Sequence, residues 1–480
     1  MNSIWSQTCE IKERRPLSEN IRTDVAVIGA GMAGVLIASA LQEAGRSVIV
    51  LEANRIASGQ TRNTTAKITS QHGLIYQKLT KSIGEERARQ YAMANEAAIT
   101  DYRRMITERG IDCDFEEQCA YVYGGDIDAL KAEAACAEKL GLGASFTPDA
   151  ALPFPVAGAV RFARQAQFHP LKFLQAVSEP LTIYEKTPVK TVTEHELITD
   201  RGTVTAEHIV FAAHYPFVNF PGLYFARMHQ ERSYVLALEN AVSADGMWIF
   251  AEGEENQYSF RRWGELLLLG GGGHRCGENS AGGKYDALRR QAQAWFPDSR
   301  EAAHWSAQDC ITADGVPYIG GYAASRPSWH VATGFQKWGM TTSMVAAMLL
   351  RDRICGKLNP YAEVFDPGRF TGETISGVAD EGMHAVKGLA RRMFKVPEEQ
   401  AAEIAPGHGG IVMLDGEKVG VCKDEDGTLY SVDIRCPHLG CQLEWNPDER
   451  SWDCPCHGSR FDKYGALISG PAQTDAGTRE

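Results

Sequence analysis

A chain of 480 residues is longer than one ordinary hydrophobic core can organise and points to two or three domains. Hydrophobic residues at 44% and charged residues at 23% describe a globular protein, and a formal charge of −12 speaks against nonspecific nucleic-acid binding, which relies on basic patches. No apolar run approaches the roughly 20 residues of a membrane-spanning helix. Arg14 and Arg15 lead into polar residues and a short strand rather than an export signal, so a cytoplasmic location is expected.

In chain order, the first apolar strand, 25–28, runs into Gly29, Ala30, Gly31, Met32, Ala33 and Gly34. A helix follows, and a second apolar strand, 48–51, ends at Glu52. The glycines have the G-x-G-x-x-G spacing: Gly29 permits a tight turn, Gly31 admits a pyrophosphate to the backbone, and Gly34 lets helix and strand pack closely. The helix N-terminus would face the phosphates with unpaired N–H groups and a positive dipole end. Glu52 stands where a carboxylate can accept from an adenosine ribose. A dinucleotide site is implied, with FAD and NAD both open at this point.

Residues 57–73 are rich in hydroxyls and include Ser58, Thr64, Thr65 and Lys67. Residues 85–110 and 126–141 read as helices stopped by glycine. Alternating strands over 188–213 turn at Asp200, Arg201 and Gly202, and 226–269 is mostly strand, suggesting an antiparallel sheet. The glycine-rich run 270–279 lacks glycine at all three required offsets, so it is no second dinucleotide fingerprint. Residues 310–342 then give strand, glycine turn and helix, with Gly334 and Gly339 ahead of Met340 and Thr341.

Over about 22–359 these segments resemble the glycine/D-amino-acid oxidase family of flavoproteins. The resemblance implies FAD, because reductases linked to pyridine nucleotides usually carry two fingerprints and this chain has one. It also implies that Ser58, Thr64, Thr65 and Lys67 run beside the cofactor, and that Val189 meets adenine through its backbone. The helix at Met340 would aim its amides at the flavin pyrimidine ring, where a positive end stabilises the charge of the reduced form. His274, Arg261 and Tyr258 are the catalytic candidates, and no general base stands out.

Residues 366–406 read as a linker whose middle has helical spacing and Lys387, Arg391, Arg392 and Lys395. A helix packed between domains is expected, with a membrane-surface or partner-docking helix as the other reading. Short strands then follow, with a hairpin turn at Asp426 and Gly427. Next come Cys436 and His438, one residue apart, and Cys454 and His457, two apart. Two loops that each offer a thiolate and an imidazole suit a binuclear iron–sulfur cluster, with zinc as the competitor.

The stretches CPHLGC and CPCHGS resemble the Rieske [2Fe–2S] pattern, including Cys441 and Cys456, the pair that is disulfide-linked in many Rieske proteins. High-potential respiratory members place a serine and a tyrosine hydroxyl on the cluster sulfurs. Here Ser459 keeps the first and Phe461 lacks the second. The expected potential lies within about −150 to +300 mV but below the upper end. The polar tail after Pro471 suggests a last strand that is short or absent.

The expected architecture is an α/β Rossmann-type FAD-binding domain (about 22–75, 185–222 and 308–360) with an inserted α+β antiparallel-sheet substrate domain (about 76–184 and 223–307). The linker and a small all-β Rieske domain over 407–480 complete it. The two resemblances imply an FAD-dependent oxidoreductase of dehydrogenase or oxidase type. It would oxidise the C–N bond of an amine or amino acid and pass electrons through the cluster to an external acceptor, a protein or a quinone. The alternative is a flavin/iron–sulfur electron-transfer protein or reductase fed by a redox partner as donor.

Overall fold

The computed structural model describes residues 2–150, 152–242, 245–251, 257–369, 382–384, 404–414 and 416–478. Ile21–Ile28 forms the centre of the first sheet, flanked in parallel by Val48–Leu51 and by Gly202–Phe211. Thr182–Tyr184 and Arg326–Thr333 extend it, also in parallel, and Tyr318–Ala323 closes one side antiparallel. Its inner strands are apolar at nearly every position because both faces are covered. Val25, Val27, Val48 and Val50 enter one core with the helices Met32–Glu43 and Gly339–Ile354, whereas Ala26, Ile28, Ile49 and Leu51 enter another.

The second sheet runs Arg300–Thr312, Met228–Glu239, Leu266–Arg275, Ser259–Trp263, Met247–Phe250, Glu116–Gly124, Gly158–Gln167 and Lys67–Ile68. Its neighbours are antiparallel except Met247–Phe250 against Glu116–Gly124. The strands cross the limits suggested by the sequence. Thr182–Tyr184 belongs to the first sheet, while Lys67–Ile68 and all of Arg300–Thr312 belong to the second. The glycine-rich run is also strand, since Gly270 and Gly271 pair with Val235 and Tyr234.

The C-terminal unit is all β, with a three-stranded sheet (Gly409–Leu414, Glu417–Lys423, Leu429–Val432) and a four-stranded one (Glu444–Asn446, Ser451–Asp453, Arg460–Asp462, Leu467–Ser469). Leu443, Trp452 and Phe461 fill its core. The last strand, Leu467–Ser469, is short and pairs with Arg460–Asp462, and the polar tail returns so that Asp433 N donates to Gly477 O at 2.6 Å. Of the anticipated linker helix only 382–384 is described, and it is helical; Lys387, Arg391, Arg392 and Lys395 lie outside the described residues. Among the described residues, no helix is long and apolar enough to cross a membrane.

Candidate functional site: a dinucleotide cleft beside a two-thiol, two-imidazole centre

The glycine turn is built by backbone constraints. Gly29 has φ +103°, and a Cβ there would lie 2.7 Å from Ala212 O, so only glycine fits. A Cβ at Gly34 would fall on Gly29 O, which explains the close approach of helix and turn. Glu52 ties the turn to the second strand by accepting from Ala30 N and Asn54 N, each at 2.8 Å. Burial pushes its carboxyl above the usual range, and those amides pull the other way. A carboxylate has about four acceptor positions, so capacity for ribose hydroxyls remains. Thr61 Oγ1 accepts from Met32 N at 2.9 Å and positions the first turn of the helix.

From this turn a cavity of about 500 Å³ runs to the start of the helix Gly339–Ile354, a volume in the usual range for a bound cofactor. Gly31, Met32, Ala33, Ser58, Thr64 and Val189 line it, as do Gly339 and Met340. The glycine cradle, the acid beside it and a lining that reaches from the glycine turn to Gly339 fit a dinucleotide.

Other residues expected at the site hold its walls instead. Gly334 has φ +71° and packs on Thr312. Thr341 Oγ1 accepts from Thr69 N at 2.8 Å and donates to Thr69 O at 3.0 Å. Lys67 Nζ donates to Trp248 O at 2.9 Å, and burial, reinforced by Arg261, pushes its ammonium down to about 7.

The three catalytic candidates lie outside the lining of the cavity. Arg261 is buried, and its guanidinium donates to the carbonyls of Thr65, Ala66 and Phe168. Trp5, fully buried on the helix Ile4–Thr8, packs against it at 5.3 Å. Arg261 therefore clamps the 65–66 segment, and Thr65 enters through its carbonyl rather than its hydroxyl. His274 is engaged by Tyr234 OH at 3.0 Å and Arg275 O at 2.8 Å. Tyr258 packs edge-on against Trp295 and accepts from Tyr123 OH through its carbonyl.

Sequence reasoning missed Gln308, Asp309, His214 and Lys337, which do line the cavity. Burial pushes the Asp309 carboxyl up to about 7, opposed by Lys337. No spacing marks these residues, although Gln308 and Asp309 directly precede the recognisable 310–321 stretch. The largest omission is the C-terminal unit itself, whose residues 467–473 form part of the cavity wall.

In that unit, Cys436, Cys454 and His457 are buried and His438 is half-buried. The two Nδ1 atoms face each other at 3.2 Å. Amides of His438 and Leu439 point at the Cys436 sulfur, and those of Cys456 and His457 at the Cys454 sulfur. A hydrogen bond from Cys454 pulls the Cys436 thiol down, and the Ser459 hydroxyl helps it. Two thiolates on one side and two imidazole Nδ1 atoms on the other form the donor set of a Rieske cluster.

The Cys441–Cys456 disulfide joins the two loops. A grouping of Cys441, Cys454 and Cys456 sulfurs also exists, but two of those are spent in the disulfide and offer no thiolate. His438 Nε2 lies 2.8 Å from Asn219 Oδ1. Donation there leaves Nδ1 with its lone pair for a metal, the outer partner fixing the tautomer.

Residues 24–353 match the family model "FAD dependent oxidoreductase", and residues 394–478 match "Rieske [2Fe-2S] domain". The chain is 36% identical over 491 residues to "Putative Rieske 2Fe-2S iron-sulfur protein YhfW" of Bacillus subtilis (strain 168), covering 98% of this chain and 96% of that protein. In fold it is similar to glycine oxidase from Geobacillus kaustophilus, with a TM-score of 0.59 and 20% identity over 73% of this chain and all (100%) of that one. L-proline dehydrogenase from P. horikoshii is similar too, with a TM-score of 0.61 and 16% identity over 73% and 98%. The glycine cradle, the paired cysteines and histidines, and these matches lead to one conclusion: the chain belongs to the FAD-dependent oxidoreductase family and carries a C-terminal Rieske domain, an enzyme with FAD and a [2Fe–2S] cluster as cofactors.

Proposed function

We propose that this enzyme oxidises the C–N bond of a small amine or amino acid and delivers the electrons through the Rieske centre to an external acceptor, a protein or a quinone. The observation that carries the reading is the shared wall: Gly470, Pro471 and Ala472 of the Rieske unit line the same cavity as Gly31 and Met340. FAD supplies two-electron chemistry with an organic substrate, and the cluster supplies one-electron exchange.

The chain's own groups fit these tasks. Gly29, Gly31 and the first turn of Met32–Glu43 hold the diphosphate, and Glu52 holds the ribose. Val189, Ser58 and Thr64 line the path, and the N-terminus of Gly339–Ile354 directs its positive end at the far part of the cavity. Asp309, held near 7, can keep or accept a proton at neutral pH. In the Rieske unit, Cys436, Cys454, His438 and His457 are the iron ligands. The fold likeness to a glycine oxidase and an L-proline dehydrogenase supports the substrate class. The cysteines outside the centre are free and scattered among the described residues, which supports a reducing, cytoplasmic setting.

An anaerobic panel of amines and amino acids, read by flavin bleaching and then by cluster EPR, tests the reading. Bleaching followed by cluster reduction is expected. A cluster that stays oxidised beside fully reduced flavin contradicts it, and reduction by reduced ferredoxin with no response to any amine favours a reductase.

A further inference from the structure

The two units meet through side chains that are buried at the junction. Gln230 and Gln308 come from neighbouring strands of the second sheet, are directed at the Rieske unit and are 1% and 0% exposed. Gln230 Nε2 donates to His457 O at 2.6 Å, and Gln308 Nε2 donates to Gly458 O at 2.7 Å. The two side chains also bond each other, Gln308 Nε2 to Gln230 Oε1 at 2.5 Å. Gln308 itself lines the cofactor cavity. The bonded glutamine pair therefore spans from a wall of the flavin cleft, at Gln308, to the backbone of an iron-ligand residue, at His457.

The surroundings hold this contact in place. Arg232 meets Glu449 of the Rieske unit at 2.8 Å, with exposures of 1% and 9%. Asp448 accepts from Asn279 Nδ2 at 2.8 Å and from Gly283 N and Lys284 N at 3.1 Å. Gly277 sits against the loop carrying the second ligand pair, and a Cβ there would lie 2.6 Å from Pro455 N. A buried ion pair, amide-to-carbonyl bonds and a glycine beneath a proline define one docked geometry rather than a tethered, roaming domain.

We propose that Gln230 and Gln308 are positioning residues that clamp the His457–Gly458 loop on the flavin cleft, making this junction the route by which the two redox sites exchange electrons within one chain. The inference rests on the electron-transfer reading above. Two electrons leave the substrate for each C–N bond oxidised and cross the junction singly. An external one-electron acceptor re-oxidises the cluster between the crossings, and the released protons go to solvent. The clamp acts by fixing separation and orientation, on which transfer depends steeply.

The test uses full-length holoenzyme with Gln230→Met and Gln308→Met, swaps of similar volume, and Gly277→Ala, which alters neither a cofactor contact nor an iron ligand. Bound FAD and the visible circular dichroism of the cluster verify assembly. Flash photoreduction of the flavin then times electron arrival at the cluster, and broadening of the cluster EPR signal by an added gadolinium chelate reports access to the histidine edge. Wild type should transfer and be shielded. The variants should transfer about tenfold more slowly or worse, as small misplacements cost rate steeply, and should broaden. Variants that transfer at the wild-type rate and stay shielded overturn the clamp alone. A wild-type cluster that never receives flavin electrons overturns the electron-transfer reading, and the clamp's role falls with it. If a glutamine variant fails to assemble, Gly277→Ala decides by the same two readouts.

Discussion

The two ends of the cofactor cleft are built in opposite ways. At the glycine turn, Glu52 reaches Ala30 across 22 residues and Thr61 reaches Met32 across 29. At the junction, Gln230 reaches His457 across 227 residues, Asn219 reaches His438 across 219, and Gln308 reaches Gly458 across 150. The first end comes from one contiguous strand–turn–helix–strand piece with its chemistry written as spacing. The second exists only after two separately encoded units have docked. Contiguous chemistry can be read from a chain, while docked chemistry must be seen.

The contrast can be broken at the junction first. Arg232→Met leaves Glu449 short of one buried partner, a class of change that costs about 3–5 kcal/mol. The lower end is expected because Arg460, Ser306 and Tyr285 still hold Glu449. Urea unfolding should separate into two transitions, with the Rieske unit released early; a single unshifted transition would argue that docking is not held by this pair.

At the glycine turn, Gly29→Ala places a side chain at φ +103° and against Ala212 O, with backbone strain alone of about 1–3 kcal/mol. The purified variant should lose FAD on gel filtration while its Rieske EPR signal persists. Retention of stoichiometric FAD would contradict the assigned cradle.

Within the cluster unit, Phe461 is fully buried opposite Trp452. The Rieske resemblance places a tyrosine hydroxyl on a cluster sulfur at this position, and such bonds stabilise the reduced form. Voltammetry of Phe461→Tyr should show a higher potential than wild type; no change or a fall would refute the hydrogen-bond account.

The smallest effect belongs to Lys67. Its folded pKa of about 7 lies below the ordinary lysine value, so between about pH 7 and 10.4 the unfolded chain binds a proton that the native one does not. Stability from this group therefore rises with pH across that window. Wild type should gain on Lys67→Met as pH is raised from about 7 to 10, measured by denaturant midpoints, and parallel curves would contradict burial of the ammonium.

The architecture and both cofactor motifs were legible because each rests on local rules: backbone freedom at Gly29, period-two apolar strands, and thiol–imidazole pairs at fixed spacing. What escaped depends on tertiary placement. Arg261 had the residue type of a substrate clamp but spends its donors on wall carbonyls. His274 and Tyr258 point into packing, while Gln308 and Asp309, with no motif, line the cavity. The C-terminal tail read as loose polar residues, yet it pairs back through Asp433 and Gly477, with 467–473 walling the cleft.

The central claim is that both redox sites work as one intramolecular unit. Single-turnover stopped flow with a substrate from the anaerobic panel, followed at flavin and cluster wavelengths over a wide range of enzyme concentration, tests it most directly. The account predicts flavin reduction first and cluster reduction next, at a rate independent of enzyme concentration. Cluster reduction that accelerates in proportion to enzyme concentration, or that never follows the flavin, would contradict it.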